Sequence, residues 1–93
     1  QIKHLGHRIE LGEIETACIS ISEISNCCIL YENQKIVCFY ECSEFKINEN
    51  KIKEILTKLL PKYMHPQTFI YVATIPLNTN GKFDRLELKK RLN

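Results

Sequence analysis

The sequence predicts an α+β fold, a small sheet of about three strands with packed helices. Three observations carry that prediction. Two adjacent segments of strand composition flank Asn33-Gln34, and the run from Asn48 to Leu60 shifts its apolar period to three and four. Strands and helices also follow one another in irregular order, in a chain of 93 residues with room for one modest core.

Each element has its own justification. Gln1 to Leu11 mixes extended-type residues with Gly6 and reads as a strand or loop followed by a turn. Gly12-Glu13-Ile14-Glu15 opens a helix in which Ile14, Ala17, Cys18 and Ile21 share a face, and its acidic residues suit the positive end of the helix dipole. That helix is expected to run to about Ser22. Asn26–Glu32 and Lys35–Ser43 are rich in Ile, Val, Cys, Phe and Tyr, and the intervening Asn-Gln pair suits a two-residue turn, so a hairpin follows.

From Asn48 to Leu60 one apolar stripe combines Ile52, Ile55, Leu56, Leu59 and Leu60, with lysines on the remaining surface. Asn48 or Asn50 serves as N-cap, and Pro61 stops the helix. Pro61 to Pro66 is a rigid connection, Thr68 to Ile75 is a further strand, and Pro76 to Gly81 is a turn-rich loop. Asp84 caps a short last helix, in which Leu86, with Leu88 and Leu92, is expected to pack while Lys89, Lys90 and Arg91 favour the C-terminal end.

Composition excludes several classes. With 44% apolar and 26% charged residues the chain lies far from the disordered regime and is expected to fold. A net charge of +2, with lysines dispersed along the chain, gives no electrostatic footprint for nucleic acid or a membrane surface. No apolar run approaches the roughly 20 residues that span a bilayer, so a cytoplasmic location is the default expectation. The start at Gln1, within what reads as an ordered segment, suggests an excised or truncated piece.

Five cysteines, Cys18, Cys27, Cys28, Cys38 and Cys42, are an odd number without a C-x-x-C pair. They read as thiols serving as small buried hydrophobes, and no metal site is expected. Neighbouring residues of a strand point to opposite faces, so Cys27 and Cys28 do not readily share one ion. His4, His7 and His65 show no metal spacing and are given no catalytic role.

Pro76-Leu77-Asn78-Thr79-Asn80-Gly81-Lys82-Phe83-Asp84-Arg85 is the most informative stretch. It puts a lysine directly after a glycine and a turn, just before a helix. Such a lysine stands on an exposed, mobile tip, where the glycine allows close backbone approach to a ligand. An ammonium is a compact point charge with three donors, suited to an oxyanion or phosphate. Taken alone, a loop lysine is most often a solvated surface residue.

The same stretch resembles the last core motif of nonribosomal peptide synthetase adenylation domains and of the wider adenylate-forming superfamily, which includes acyl-CoA synthetases and firefly luciferase. Two further segments agree, in order. Gln1 to Glu15, with its Gly6-His-Arg-Ile-Glu-Leu-Gly-Glu-Ile-Glu15 core, resembles the motif that opens the C-terminal domain of those enzymes. Leu60-Pro-Lys-Tyr-Met-His-Pro66 resembles the motif after its long helix. The resemblance covers both ends and the middle of the chain. It implies that residues 1–93 are one small C-terminal domain, with the large N-terminal domain and the hinge lying elsewhere.

What the resemblance implies for function is specific. Such enzymes join a carboxylate to ATP with Mg2+, release pyrophosphate, and pass the acyl group of the acyl-adenylate to a thiol. Lys82 matches the family's catalytic lysine of the first step, where a cation offsets the repulsion of carboxylate and α-phosphate. Asn80 and Gly81 would shape the loop that inserts it. In the second step the small domain rotates, and a face around Gly6 and Arg8 lines the passage for the phosphopantetheine arm of a carrier protein. The position before Gly6, usually Arg or Lys in the family, is Leu5 here, with Lys3 and His4 near.

Glu10 and Glu13 are expected to form ion pairs within the domain or to cap the first helix. Tyr63 and Met64 are expected to pack rather than to bind ligand.

The leading expectation is therefore the C-terminal part of an ATP-dependent amino-acid-adenylating ligase, either a peptide synthetase module or a stand-alone ligase that loads D-alanine on a carrier protein. It is expected to be inactive alone, a soluble monomer with negligible ATP affinity. An acyl-CoA synthetase domain, a non-catalytic carrier-protein interaction module and a small cysteine-based metal or redox protein are the competing readings. Retention of a lysine after Asn-Gly argues against the module, and the cysteine spacings disfavour the last.

Overall fold

The computed structural model describes residues 1–42 and 48–92. The chain opens with a short antiparallel hairpin, β1 (Ile2–His4) and β2 (His7–Ile9), turned at Leu5-Gly6. Both turn residues have positive φ, 53° and 80°, as a two-residue hairpin turn matching the right-handed strand twist requires. Gly6 adopts this freely, whereas Leu5 is held there with its side chain exposed. The region expected to be a strand or loop is thus a complete two-stranded ribbon.

Helix α1 (Leu11–Ile19) follows. It ends three residues before the expected Ser22, because Ser20 turns its hydroxyl onto the Ala17 carbonyl and the chain folds through Ile21 N–H to Cys18 O. The predicted stripe is inward: Ile14, Cys18 and Ile21 are buried, and Ala17 packs beside them.

Strands β3 (Ile24–Glu32) and β4 (Lys35–Cys42) form the expected hairpin, with Asn33 and Gln34 both at positive φ and Glu32 facing Lys35. Ser43, the expected end of β4, lies outside the described residues. Strand β5 (Thr68–Tyr71) lies parallel to β4, giving the order β3-β4-β5. It is shorter than expected, since after the Val72 N–H bond to Tyr40 O the chain leaves the sheet. Gln67 fixes its register, donating from its own N–H to the Ile36 carbonyl and accepting the Ile36 N–H on its side-chain oxygen.

Helix α2 (Glu49–Leu59) is capped by Asn48, whose side chain accepts the Asn50 N–H at 2.7 Å. Ile52 and Leu56 are fully buried, but Leu59 is half exposed because it lies at the end of the stripe, past the edge of the core. A single 3₁₀ turn (Lys62–Met64) then leads to β5, and α3 (Arg85–Lys90) ends the described chain with Asp84 as its N-cap. Leu88 is fully buried and Leu92 packs beside it, but Leu86 is 75% exposed. Two residues on a helix lie on roughly opposite faces, so α3 can bury Leu88 and Leu92 or Leu86, not all three.

The sheet is covered on both sides. Cys27, Ile29, Ile36, Cys38 and Tyr40 join Ile14, Cys18, Ile52, Leu56 and Met64 in one core. Cys28, Leu30, Val37 and Phe39 join Val72, Ile75 and Leu88 in a second. This is why β3 and β4 read as near-continuous apolar runs, and why the adjacent Cys27 and Cys28 belong to different cores.

Candidate functional site

The segment after β5 is built around Lys82. Leu77 and Phe83 form an antiparallel bridge, so the tip between them is a small hairpin of its own. Asn78 organises it. Its side-chain oxygen accepts the N–H groups of Asn80 (2.9 Å) and Lys82 (3.1 Å), its N–H donates to Lys82 O (2.7 Å), and its carbonyl accepts Gly81 N–H (3.0 Å). Gly81 sits at φ 77°, which closes the turn and which a side chain would oppose. Four hydrogen bonds on one asparagine therefore fix the internal shape of the tip.

Lys82 is exposed, and it has no salt-bridge partner among the described residues. With Asn78, Gly81, Phe83 and Arg85 it lines an open groove of about 450 Å³. Phe83 also packs on the second core. A positive charge free of competing carboxylates, at a groove rim, is arranged to meet an anion.

Both feet of the loop are tied to the body. At the first, Ile75 N–H donates to Glu41 Oε2 at 2.7 Å. At the second, Asp84 N–H donates to Pro76 O, and Arg85 reaches across to β3. Arg85 Nη1 donates to Ile29 O at 2.8 Å and Nη2 to Glu15 Oε1 at 3.2 Å, while the same Glu15 oxygen accepts Ile29 N–H at 3.1 Å. Sequence reasoning named Asn80, Gly81 and Lys82 but missed Asn78, Glu41 and Glu15. The Asn-x-Asn-Gly pattern was a usable signal for Asn78, because Asn side chains bond to the backbone two residues on. Nothing in the spacing announced the two glutamates.

The second expected site residues, Gly6 and Arg8, lie in the β1–β2 ribbon. Arg8 is exposed and faces Lys3 across the strands, two cations on one ribbon face without a salt-bridge partner among the described residues. Neither Glu10 nor Glu13 forms the expected ion pair among the described residues. Glu10 holds the N-cap position without a side-chain cap and accepts a hydrogen bond from Gln1, while Glu13 lies in the first helical turn. His4 is buried, with Nδ1 3.0 Å from Tyr31 Oη and Nε2 without a hydrogen-bond partner among the described residues. His7 stacks edge-on against Tyr63, and Met64 is buried, so both residues expected to pack do so.

The fold thus joins the three sequence motifs: the first touches the second through His7 and Tyr63, and the third through Glu15 and Arg85. Among the described residues no group of three His, Cys, Asp or Glu is placed to hold a metal ion, and no helix is long and apolar enough to cross a membrane.

Comparison with known proteins places this arrangement. Gramicidin S synthase 2 of Brevibacillus brevis is 37% identical over 92 residues, covering 95% of this chain and 2% of that protein. Zwittermicin A synthase ZmaJ of Bacillus cereus is 39% identical over 90 residues, covering 91% of this chain and 17% of that protein. The chain therefore spans a small fraction of the relatives it matches. The structure of Klebsiella oxytoca NpsA in complex with 3-hydroxyanthranilyl-AMSN superposes with a TM-score of 0.89 at 28% identity, over 98% of this chain and 19% of that one. Mycobacterium tuberculosis fatty acyl CoA synthetase shares the fold, with a TM-score of 0.83 at 22% identity over 97% of this chain and 19% of that one. Residues 13–82 match the family model of the AMP-binding enzyme C-terminal domain, and the chain belongs to that family.

Proposed function

We propose that this chain is the C-terminal domain of an ATP-dependent amino-acid-adenylating ligase, in which Lys82 supplies the cation of the adenylation step. The observation that carries the reading is the state of Lys82: exposed, without an ion pair among the described residues, and set on a hairpin whose backbone is fixed by Asn78. Where a carboxylate attacks an α-phosphate, two anions must approach and further charge develops in line. A preorganised ammonium stabilises that charge without reorganising as the reaction proceeds. Asn80 and Gly81 shape the tip. ATP with Mg2+ is the substrate complex, and most of its site belongs to a large N-terminal domain joined in the same polypeptide through a hinge.

The groove at Lys82 is compatible with such a ligand, since it is open and its lining includes no carboxylate. The Lys3–Arg8 ribbon around Gly6 supports the second half of the reading, because paired exposed cations suit the phosphate of a phosphopantetheine arm on a carrier protein. A domain that offers the lysine loop to one step and this ribbon to the next acts as a rigid-body switch. The gramicidin S, tyrocidine and bacitracin synthases among the relatives support an amino acid as the acid activated, over the fatty acid of an acyl-CoA synthetase. The parent enzyme would work in the cytoplasm.

The test is amino-acid-dependent ATP–pyrophosphate exchange by the full-length parent, with a panel of amino acids and short fatty acids. Lys82→Ala is expected to lower exchange by about 10² to 10³. Exchange indifferent to Lys82 would overturn the reading and favour a binding module.

A further inference from the structure

Arg85 lies three positions beyond Lys82 and lines the same groove, but its hydrogen bonds lead away from the tip. It crosses to the edge strand β3, and with Glu15 of α1 it closes a three-sided arrangement on one residue. Ile29 gives its N–H to Glu15 and its carbonyl to Arg85, and the two side chains bond each other. β3 is the open edge of the sheet, so these two backbone groups are the ones a neighbouring strand would otherwise take. The guanidinium suits the task because its planar fork can serve a carbonyl and a carboxylate together, which an ammonium cannot do in the same geometry.

The consequence falls on the loop. Between Lys82 and this clamp lie only Phe83, bridged to Leu77, and Asp84, whose N–H is bonded to Pro76 O. The hydrogen bonds of Asn78 all lie within the tip, so the orientation of the tip relative to the sheet is set at its feet. Glu41 holds the first foot through Ile75 N–H, and the Arg85–Glu15 pair holds the second.

We propose that Glu15 and Arg85 are positioning residues for Lys82: they dock the outgoing foot of the lysine loop on β3 and so fix where the ammonium stands. This deepens the adenylation reading and rests on Lys82 acting in that step. In this role both residues act through Lys82. It also makes α1, which carries the end of the first motif, part of the base on which the third motif stands.

The experiment uses the full-length enzyme and measures single-turnover aminoacyl-adenylate formation at saturating ATP and amino acid. Alongside it, thioester formation is measured from preformed aminoacyl-adenylate. Arg85→Ala is expected to slow adenylation by about 10- to 100-fold, the cost of misplacing a reacting group by about an ångström, with the KM for ATP within about twofold of wild type. Thioester formation is expected to be unchanged. Glu15→Gln, which keeps the oxygen that accepts Ile29 N–H, is expected to retain more adenylation than Glu15→Ala.

In a Lys82→Ala background Arg85→Ala is expected to add no more than about a twofold loss, because residues acting through one group are non-additive. A full multiplicative loss in that background, or an equal loss in thioester formation, would overturn the proposal while leaving Lys82 in place. A Lys82→Ala enzyme that adenylates normally would instead overturn the reading on which the proposal stands.

Discussion

A single asparagine does for this loop what several contacts do elsewhere. Asn78 presents one side-chain acceptor to two N–H groups, and its own peptide closes the turn through Lys82 O and Gly81 N–H. Among the described residues only the oxygen of the side chain is used. Asn78→Ser, which keeps an acceptor near the backbone, is therefore expected to hold most of the adenylation rate, whereas Asn78→Ala lowers it by about 10-fold. Both are checked by pyrophosphate exchange, and equal rates for the two would show that the side-chain acceptor is idle. The residue is exposed, so neither change is expected to disturb folding. At this scale the sequence was readable for several residues that act on their own neighbours: Asn48, Asp84, Asn33 and Gly81 do what their types do locally. It was not readable for Glu15 and Arg85, which meet across 70 positions of chain.

Among the elements, α2 shows how the same limit applies to packing. Its period placed Ile52 and Leu56 inward correctly, but Leu59 belongs to the same stripe and ends half exposed. Periodicity gives the direction of a side chain and says nothing of where the opposing layer stops. Leu86 failed for a related reason: a short helix of alternating leucines has two apolar faces, and only the sheet decides which is covered. The parallel pairing of β5 with β4 was likewise invisible, since a strand segment carries no mark of its neighbour's direction. Leu56→Ala is expected to cost about 2 to 5 kcal/mol by opening a cavity between α2 and the sheet. Asn48→Ala, which removes the cap, is expected to cost about 1 kcal/mol. Urea denaturation of the purified chain measures both, and a Leu56→Ala loss no larger than the cap's would mean that the layer collapses around the deletion.

For the molecule as a whole, the cysteines link both cores to pH. Cys18, Cys27, Cys28 and Cys38 are buried. Burial pushes the Cys28 thiol up to about 11, against the opposing pull of the Arg85 guanidinium. The hydrogen bond that Cys27 donates to Cys18, and then burial, raises Cys27. For Cys18 the bond to Cys27 acts downward but is outweighed by Cys38 and burial, so it too is raised. A thiol whose folded pKa is raised contributes stability that is fully present below its unfolded value, about 9.0, and is lost as pH rises toward the folded one. The unfolding free energy from urea titration is therefore expected to be level across neutral pH and to fall above pH 9.0, with a slope of about 1.4 kcal/mol per pH unit for each such thiol, and the urea midpoint falls with it. A midpoint unchanged up to about pH 11 would show that these thiols ionise as freely in the fold as outside it.

The parallel strand has a consequence in time. An antiparallel pair such as β3 and β4 closes through its two-residue turn, but β5 can join β4 only after the long connection carrying α2 has been drawn back across the sheet. Non-local pairings of this kind are slow to form, and a four-residue edge strand has few bonds to hold it. The lysine loop hangs from that strand. It is thus expected to be acquired late as the chain folds and to be lost early when the domain opens locally. A destabilised variant would then fall silent in chemistry while its hairpin and first helix remain intact.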